Sequence, residues 1–169
     1  MLEPRLESKR LLFRPLRAQD AAHLERLFEG DWEAIRQTGR MPYPPTADAM
    51  RAWIRGHAGP GSRSFLILRK DDQAVLGAIG FGGEGGTAEL GYALGRAHWG
   101  RGYATEAVQA MVRLARERGL KALDAHIFIE NPASARVLEK AGFVDLGLVE
   151  RDYPKRGGRR EVRKYRQVL

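Results

Sequence analysis

The chain has 169 residues, 43% of them apolar and 30% charged, with a formal net charge of +8 at pH 7, which is typical of one globular domain with a cationic surface. It contains no cysteine, which excludes disulfide bonds and thiolate catalysis, and its four histidines do not fall in metal-ligand spacing, so no metal is expected. No stretch approaches the roughly 18 consecutive apolar residues of a membrane span, so we expect a cytoplasmic protein without membrane contact.

The first part of the chain predicts one strand and two helices. Residues 10–16 have the composition of a strand, and Pro15 within them indicates an edge position because proline cannot donate to a neighbouring strand. Apolar residues at helical spacing then run from Asp20 and end at Gly30. Thr46 is placed to cap a second short helix after a proline-rich loop.

Three strands are predicted next. The runs "SFLIL" and "VLGAIGF" are separated by "RKDDQA", which suits a hairpin connection. The following "GFGGEG" matches the glycine pattern of dinucleotide-binding loops, but it leads into a strand instead of a helix, so we interpret it as a hairpin loop. That strand, Thr87 to Leu94, places Glu89, Gly91 and Ala93 on one face.

The second half of the chain predicts two strand–helix units and two final strands. The clearest helix begins after "WGRG" and ends near Gly119, and a second helix has Asn131 as its N-cap, Pro132 in its first position and Gly142 beyond its end. The full order β-α-α-β-β-β-α-β-α-β-β predicts an α/β fold, a mixed sheet with helices on both faces. Because no linker or repeat interrupts it, we expect one domain over residues 1–169.

The segment "WGRGYATEA" brings glycines directly to the start of the strongest helix. The first N–H groups of a helix are unpaired and carry a partial positive charge, so glycines there let a phosphate approach the backbone closely. The alternative is a turn that needs glycine only for its backbone angles. Downstream, Asn131 and Ser134 would meet the same ligand if it lies at the carboxyl ends of two adjacent strands, although each of them could also serve only as a helix cap.

Eight basic residues against two acidic ones lie in residues 151–169. This asymmetry suggests a polyanionic partner such as RNA, contacted weakly and without sequence preference. Two alternatives remain open: an arginine-rich strand pair that faces solvent, and a positive rim around a phosphate-bearing cofactor.

The run "YALGRAHWGRGYATEAV", followed about thirty residues later by "NPASARVLEKAGF", resembles the GNAT superfamily of acetyl-coenzyme A-dependent N-acetyltransferases. The run "RLLFRPLRAQDA" near the start is similar to the RimJ/RimL branch, which acetylates N-terminal amines of ribosomal proteins. The resemblance covers nearly the whole chain, and it implies a GNAT-like mixed, mostly antiparallel sheet, acetyl-CoA as cosubstrate and no metal.

The resemblance also assigns cofactor contacts. The pyrophosphate of coenzyme A would rest on the loop and first helical turn formed by Trp99, Gly100, Arg101, Gly102, Tyr103, Ala104 and Thr105. Trp99 stands where arginine or glutamine is usual. The pantetheine arm would pair with the strand that ends at Leu94, and Asn131 matches the asparagine that hydrogen-bonds this arm. Ser134 matches the serine that protonates the departing thiolate.

Two carboxylates are candidates for the general base. Glu89 matches a glutamate that serves as base in parts of the superfamily, and Asp152 lies near the acidic position proposed for RimL. The alternative for Glu89 is a structural ion pair with an arginine. Amide formation from a thioester needs a neutral amine, a stabilised oxyanion and a proton for the leaving sulfur. An α-amine, with a pKa of about 7.7–8.0, needs only a weak base working through water, whereas a lysine amine near 10.4 needs more help.

Three functions are therefore considered. The first is an N-acetyltransferase that acts on a primary amine, above all a protein N-terminus, and the second acetylates a small amine such as an antibiotic or a polyamine. The third is a noncatalytic acyl-CoA- or RNA-binding module. The loop "GRMPYPP" and the C-terminal strands are expected to shape the acceptor pocket, and family analogy implies a homodimer.

Overall fold

The computed structural model describes residues 6–57 and 63–169, which form one sheet and five α-helices. The eight strands are Leu6–Glu7 (β1), Leu11–Pro15 (β2), Arg63–Arg69 (β3), Val75–Gly82 (β4), Thr87–Leu94 (β5), Ala122–Phe128 (β6), Val144–Tyr153 (β7) and Gly158–Val168 (β8). The helices are Ala21–Phe28 (α1), Trp32–Ile35 (α2), Ala47–Gly56 (α3), Tyr103–Glu117 (α4) and Pro132–Lys140 (α5).

The strands lie in the order β1-β2-β3-β4-β5-β6-β8-β7. All neighbouring pairs are antiparallel except β5 and β6, which are parallel because α4 crosses over between them. The predicted mixed, mostly antiparallel sheet is thus confirmed. Helices cover both faces: one apolar core lies between the sheet and α4 and α5, and a second lies between the sheet and α1, α2 and α3.

The structure adds two short elements to the predicted order. The two-residue strand β1 and the four-residue helix α2 are too short to produce a periodic pattern in the sequence. Strand β2 is consequently the second strand and not the edge that Pro15 indicated. The edge argument still applies locally, because β1 pairs with β2 only at Leu12 and Phe13 and leaves Pro15 unpaired on that side.

One irregularity of the sheet creates the site. Strands β5 and β6 pair only through Thr87–Glu89 and Ala122–Asp124. Beyond these residues the two strands separate, each remaining paired with its other neighbour, β4 or β8. A gap therefore opens in the middle of the sheet, toward the carboxyl ends of the only two parallel strands in the described residues.

Candidate active site

A cleft of about 760 Å³ occupies this gap and extends over the sheet face that α3 covers. Its walls come from the loop at residues 39–42, from β5 and β6, and from Tyr153 at the end of β7. Gly39 is packed so closely against the Tyr153 ring that a Cβ at this position would overlap it. The sequence prediction that "GRMPYPP" and the C-terminal strands shape one pocket agrees with this arrangement.

Glu89 lies in this cleft in an ion-paired cluster. The Arg151 guanidinium donates to both Glu89 oxygens, at 2.5 and 3.1 Å, and His126 Nδ1 lies 3.1 Å from Oε1. Burial alone would raise the pKa of the Glu89 carboxyl, but the hydrogen bonds from His126 and Arg151 outweigh it and lower the pKa to about 2. A carboxylate with so low a pKa is a weak proton acceptor, which favours the ion-pair alternative that the sequence left open for Glu89.

Asp152, the second candidate base, is not brought to the cleft. Tyr153 lines the cleft and Arg151 donates to Glu89 there, so the alternation of β7 turns the Asp152 side chain to the opposite, exposed face. Within residues 6–57 and 63–169 its carboxylate has no hydrogen bond or ion pair. The sequence named Asp152 as a candidate base from its position along the chain, and the structure turns its side chain away from the cleft.

Ser134 and Asn131 meet Tyr92 on the other side of the gap. The Tyr92 hydroxyl donates to Ser134 Oγ at 3.1 Å, and Asn131 Nδ2 donates to the same oxygen at 3.0 Å. Asn131 also caps α5, because its Oδ1 accepts from the Ser134 amide at 3.3 Å. Burial raises the pKa of Tyr92 to about 12, although its bond to Ser134 lowers it in part, so the phenol stays protonated at neutral pH.

The glycine segment has the geometry of an anion-binding helix start. Gly100 and Gly102 adopt left-handed conformations, with φ of +73° and +81°, which side chains rarely tolerate. Within the described residues no side chain caps α4, whereas the side chains of Asp31, Thr46 and Asn131 cap α2, α3 and α5. The longest helix therefore keeps its first amides free, as anion binding requires.

Neighbouring side chains fix this loop to the fold. The Trp99 indole donates to the Leu94 carbonyl at 2.8 Å, which ties the loop to the end of β5 and gives the unusual tryptophan a structural role. Arg10 donates to the Arg101 carbonyl at 3.0 Å and to Glu106 at 2.9 Å, and its guanidinium lies 4.3 Å from the centre of the Tyr103 ring.

The predicted cofactor residues therefore fall into two groups. Residues 99–105 surround the start of α4, where Gly102 and Thr105 border a second cavity of about 500 Å³. Asn131 and Ser134 border the large cleft instead. Within residues 6–57 and 63–169 no group of three or more His, Asp or Glu side chains could hold a metal ion, and no helix there is long and apolar enough to cross a membrane.

The cations of the basic C-terminal segment all have contacts within the protein. Each of its eight basic side chains, Arg151, Lys155, Arg156, Arg159, Arg160, Arg163, Lys164 and Arg166, contacts a carboxylate or a backbone carbonyl. Arg156, for example, donates to the carbonyls of Ile35 and Met41 at 3.0 and 2.7 Å. The arginines of this segment are thus paired within the protein while part of the strand pair is exposed, which agrees with the solvent-facing alternative, and a contact with RNA stays a prediction.

Four residues near the site were missed in the sequence: Tyr92, His126, Arg151 and Arg10. Only Tyr92 could have been identified from the sequence. Strand alternation places it with Leu90 and Leu94 on the sheet face that α4 and α5 cover, and Ser134 lies on α5. The other three act through partners far along the chain, which no local pattern reveals.

Comparisons with known proteins agree with this architecture. The model of the acetyltransferase (GNAT) domain family matches residues 10–144. An uncharacterized N-acetyltransferase, p20 of Bacillus licheniformis, is 34% identical over 161 residues, covering 91% of this chain and 89% of the relative. A putative acetyltransferase from T. thermophilus superposes with a TM-score of 0.83 at 27% identity, covering 99% and 90% of the two chains. RimL, the ribosomal L7/L12 alpha-N-protein acetyltransferase, in complex with coenzyme A, superposes with a TM-score of 0.83 at 18% identity, covering 98% of each chain.

Proposed function

The chain belongs to the GNAT acetyltransferase family, and from this premise we propose that it transfers the acetyl group of acetyl-CoA to the N-terminal α-amine of a protein. The assignment to the RimJ/RimL branch is part of this proposal. It is supported by the N-terminal resemblance of "RLLFRPLRAQDA" and by the chemistry of the cleft.

The observation that carries the choice of amine is the ion pair of Glu89. With a pKa of about 2, the Glu89 carboxylate accepts a proton poorly, and Asp152 faces away from the cleft. The acceptor must then supply its own neutral amine. At neutral pH an α-amine with a pKa of about 7.7–8.0 is neutral in about a tenth or more of molecules, whereas a lysine amine near 10.4 is neutral in well under one in a hundred.

The start of α4 fits the pyrophosphate of acetyl-CoA, which supplies the acetyl group as a thioester. The uncapped amides at Tyr103, Ala104 and Thr105 would bind its oxygens, and Gly100 and Gly102 present no side chain in their way. Asn131 and Ser134 would lie farther along the same ligand, beside the gap between β5 and β6, where the pantetheine arm would pair with the strand end at Leu94.

Ser134 is proposed to donate the proton that the leaving sulfur needs. A serine hydroxyl has one proton and two lone pairs, and Tyr92 and Asn131 already donate to its oxygen. The Ser134 proton is consequently free to be donated elsewhere. The same two donors would stabilise the oxygen as that proton leaves, and the proton that water takes from the amine would then restore the Ser134 hydroxyl.

We propose that water in the cleft accepts the proton from the amine. Glu89 then contributes by holding Arg151 and His126 in place instead of by taking the proton directly. The acceptor amine would approach from the cleft side, and the thioester from the α4 and α5 side, so that the two reactants meet in the gap of the sheet.

Mass spectrometry of purified enzyme with acetyl-CoA and two matched peptides tests the acceptor. One peptide has a free N-terminus and no lysine, and the other has a blocked N-terminus and one lysine. We expect acetylation of the first only, with a rate that rises with pH up to about 8 as the amine becomes neutral. Preferential acetylation of lysine would contradict the proposal, and a comparison of N-terminal acetylation in cells with and without the gene would then identify natural acceptors.

The cleft volume favours a second candidate. About 760 Å³ lies within the range of roughly 300–1,000 Å³ that is typical of small-molecule sites. A small amine, such as an antibiotic or a polyamine, would fit entirely within it. Acetylation of such amines, with both peptides left unmodified, would support this candidate.

We also propose that the whole chain acts as one domain and as a homodimer. The sheet runs without interruption from β1 to β7, which supports the first statement, and family resemblance supports the second. Analytical ultracentrifugation would distinguish the dimer from a monomer.

A further inference from the structure

The second cavity lies beside the start of α4, outside the acceptor cleft. It measures about 500 Å³ and is an open groove between the β1–β2 turn, the exposed face of α4 and the end of α5. Its lining residues are Ser8, Lys9, Gly102, Thr105, Glu106, Gln109, Arg113 and Lys140. Gly102 and Thr105 also belong to the proposed pyrophosphate loop, so one ligand could reach both places.

Three exposed cations from three separate elements converge on this cavity. Lys9 comes from the β1–β2 turn, Arg113 from the middle of α4 and Lys140 from the end of α5. Within residues 6–57 and 63–169 none of the three side chains has a hydrogen bond or an ion pair. This contrasts with residues 151–169, where each cation contacts a carboxylate or a backbone carbonyl.

The one carboxylate in the cavity does not neutralise them. Glu106 already accepts hydrogen bonds from the Ser8 hydroxyl and from the backbone and side chain of Arg10. Arg10 balances its charge, so the cavity has three uncompensated positive charges. Thr105 and Gln109 on the same face of α4 add neutral hydrogen-bond donors.

This arrangement matches a phosphomonoester. Such a group carries a charge of about −1.5 to −2 at neutral pH and has three strong acceptor oxygens. Coenzyme A carries one on its ribose, separate from the pyrophosphate. We propose that Lys9, Arg113 and Lys140 form a phosphomonoester site that binds the 3′-phosphate of coenzyme A, an inference that rests on the acetyl-CoA dependence proposed above.

Calorimetry with two ligands that differ only in this group tests the site. Coenzyme A and 3′-dephospho-coenzyme A are titrated at constant ionic strength into wild type, the double variant R113A/K140A and the control Arg118→Ala. Arg118 is an exposed cation just after α4 that does not line the cavity. We expect wild type and Arg118→Ala to bind coenzyme A at least about tenfold more tightly than the dephospho form, the effect of one charge-assisted hydrogen bond.

The double variant should bind both ligands with the affinity that wild type shows for the dephospho form. This retained binding would also show that the double variant is folded. If the double variant lost affinity for both ligands equally, or for neither, the proposal would be overturned. Inorganic phosphate is added at the same concentration as the coenzyme. If it abolishes the preference of wild type for coenzyme A over the dephospho form, the site binds free phosphate and the coenzyme assignment is wrong. If wild type binds neither coenzyme, the proposed function itself fails.

Discussion

The C-terminal hairpin, residues 144–168, and the entrance at α4, defined by Lys9, residues 99–105, Arg113 and Lys140, are both rich in cations but use them in opposite ways. In the hairpin each cation contacts a carboxylate or a carbonyl. At the α4 entrance the three cavity cations have no partner in the described residues, and the helix amides are uncapped.

The difference shows why a count of charges locates an anion site poorly. A paired cation gains little from a new anion, because the new contact must replace an existing one, whereas a free cation or amide loses only its hydration. The charge pattern of the sequence pointed to residues 151–169, which carry six of the eight net positive charges. The free donors, which a bound anion needs, are at the other end of the sheet.

The largest effect is expected for Ser134, because its hydroxyl is a free donor whose proton passes to the leaving sulfur in the proposed reaction. Ser134→Ala should lower kcat by about 10²–10⁴ and leave the Kd of acetyl-CoA within a few-fold of wild type. Stopped-time assays and calorimetry measure the two quantities.

Tyr92→Phe is the matched control, since it removes one donor to Ser134 Oγ and keeps the serine proton. We expect it to lower kcat by about tenfold, the effect of one hydrogen bond. Full turnover in Ser134→Ala would exclude the serine as proton donor, and Tyr92 would become the next candidate.

Gly102 tests the amides of the α4 entrance. Gly102→Glu places a negative charge beside them and forces a side chain into a left-handed conformation, where its Cβ would lie 3.3 Å from the Arg10 guanidinium. The Kd of acetyl-CoA should rise at least about tenfold.

Gly119→Glu is the control for backbone strain, because Gly119 has a similar φ of +77° at the far end of α4. Its affinity for acetyl-CoA should remain within about twofold of wild type, since no anion site lies there. Equal weakening in both variants would attribute the effect to helix distortion and would contradict pyrophosphate binding by the loop.

A variant of Glu89 tests the role of the ion-paired cluster inside the cleft. Because its carboxylate is engaged by Arg151 and His126, Glu89→Gln should lower kcat by less than about tenfold, compared with the 10²–10⁴ expected for loss of a general base. The remaining activity should follow the pKa of the amine. A larger loss that shrinks as pH rises toward that pKa would restore Glu89 as the base.

A variant of the C-terminal hairpin tests whether paired cations bind a polyanion. Replacing Arg159 and Arg163 with serine should change the affinity for single-stranded RNA by less than about threefold, because both are already bound to Glu150 and Asp145. Fluorescence anisotropy at two salt concentrations gives the affinity and its salt dependence. A steep loss with a smaller salt slope would show that RNA displaces these carboxylates.

The sequence predicted those features that depend on neighbouring residues. Thr46 and Asn131 cap their helices as expected, and Gly119 lies just beyond α4, because capping needs groups only a few residues apart. The glycines before α4 were identified for the same reason. The elements that escaped prediction, β1 and α2, are too short for any periodic pattern.

The partners of site residues were beyond prediction. Glu89 and Arg151 are 62 positions apart, and their contact depends on how β7 returns at the edge of the sheet, with β8 between it and β6. The same dependence decides that Asp152 faces outward, since a shift of one residue along a strand reverses the face. Whether a charge is free or paired is therefore a property of the fold.

The smallest effect is expected in the stability of the Glu89 cluster at different pH. The Glu89 pKa is about 2 in the fold and about 4.3 in an unfolded chain, so the ion pair stabilises the fold above pH 4.3 and its contribution is lost as pH falls toward 2. Because the Glu89 side chain is 41% exposed, solvent screening keeps this contribution below about 1 kcal/mol. In urea unfolding at pH 7, Glu89→Gln should be less stable than wild type by that amount. At pH 3 roughly half of the difference should remain.

Glu150→Gln, which removes a more exposed pair with Arg159, should show a smaller difference at both pH values. A difference for Glu89→Gln that stays constant from pH 7 to pH 3 would mean that the carboxylate is not stabilised by its partners, and the case for a proton acceptor at Glu89 would reopen.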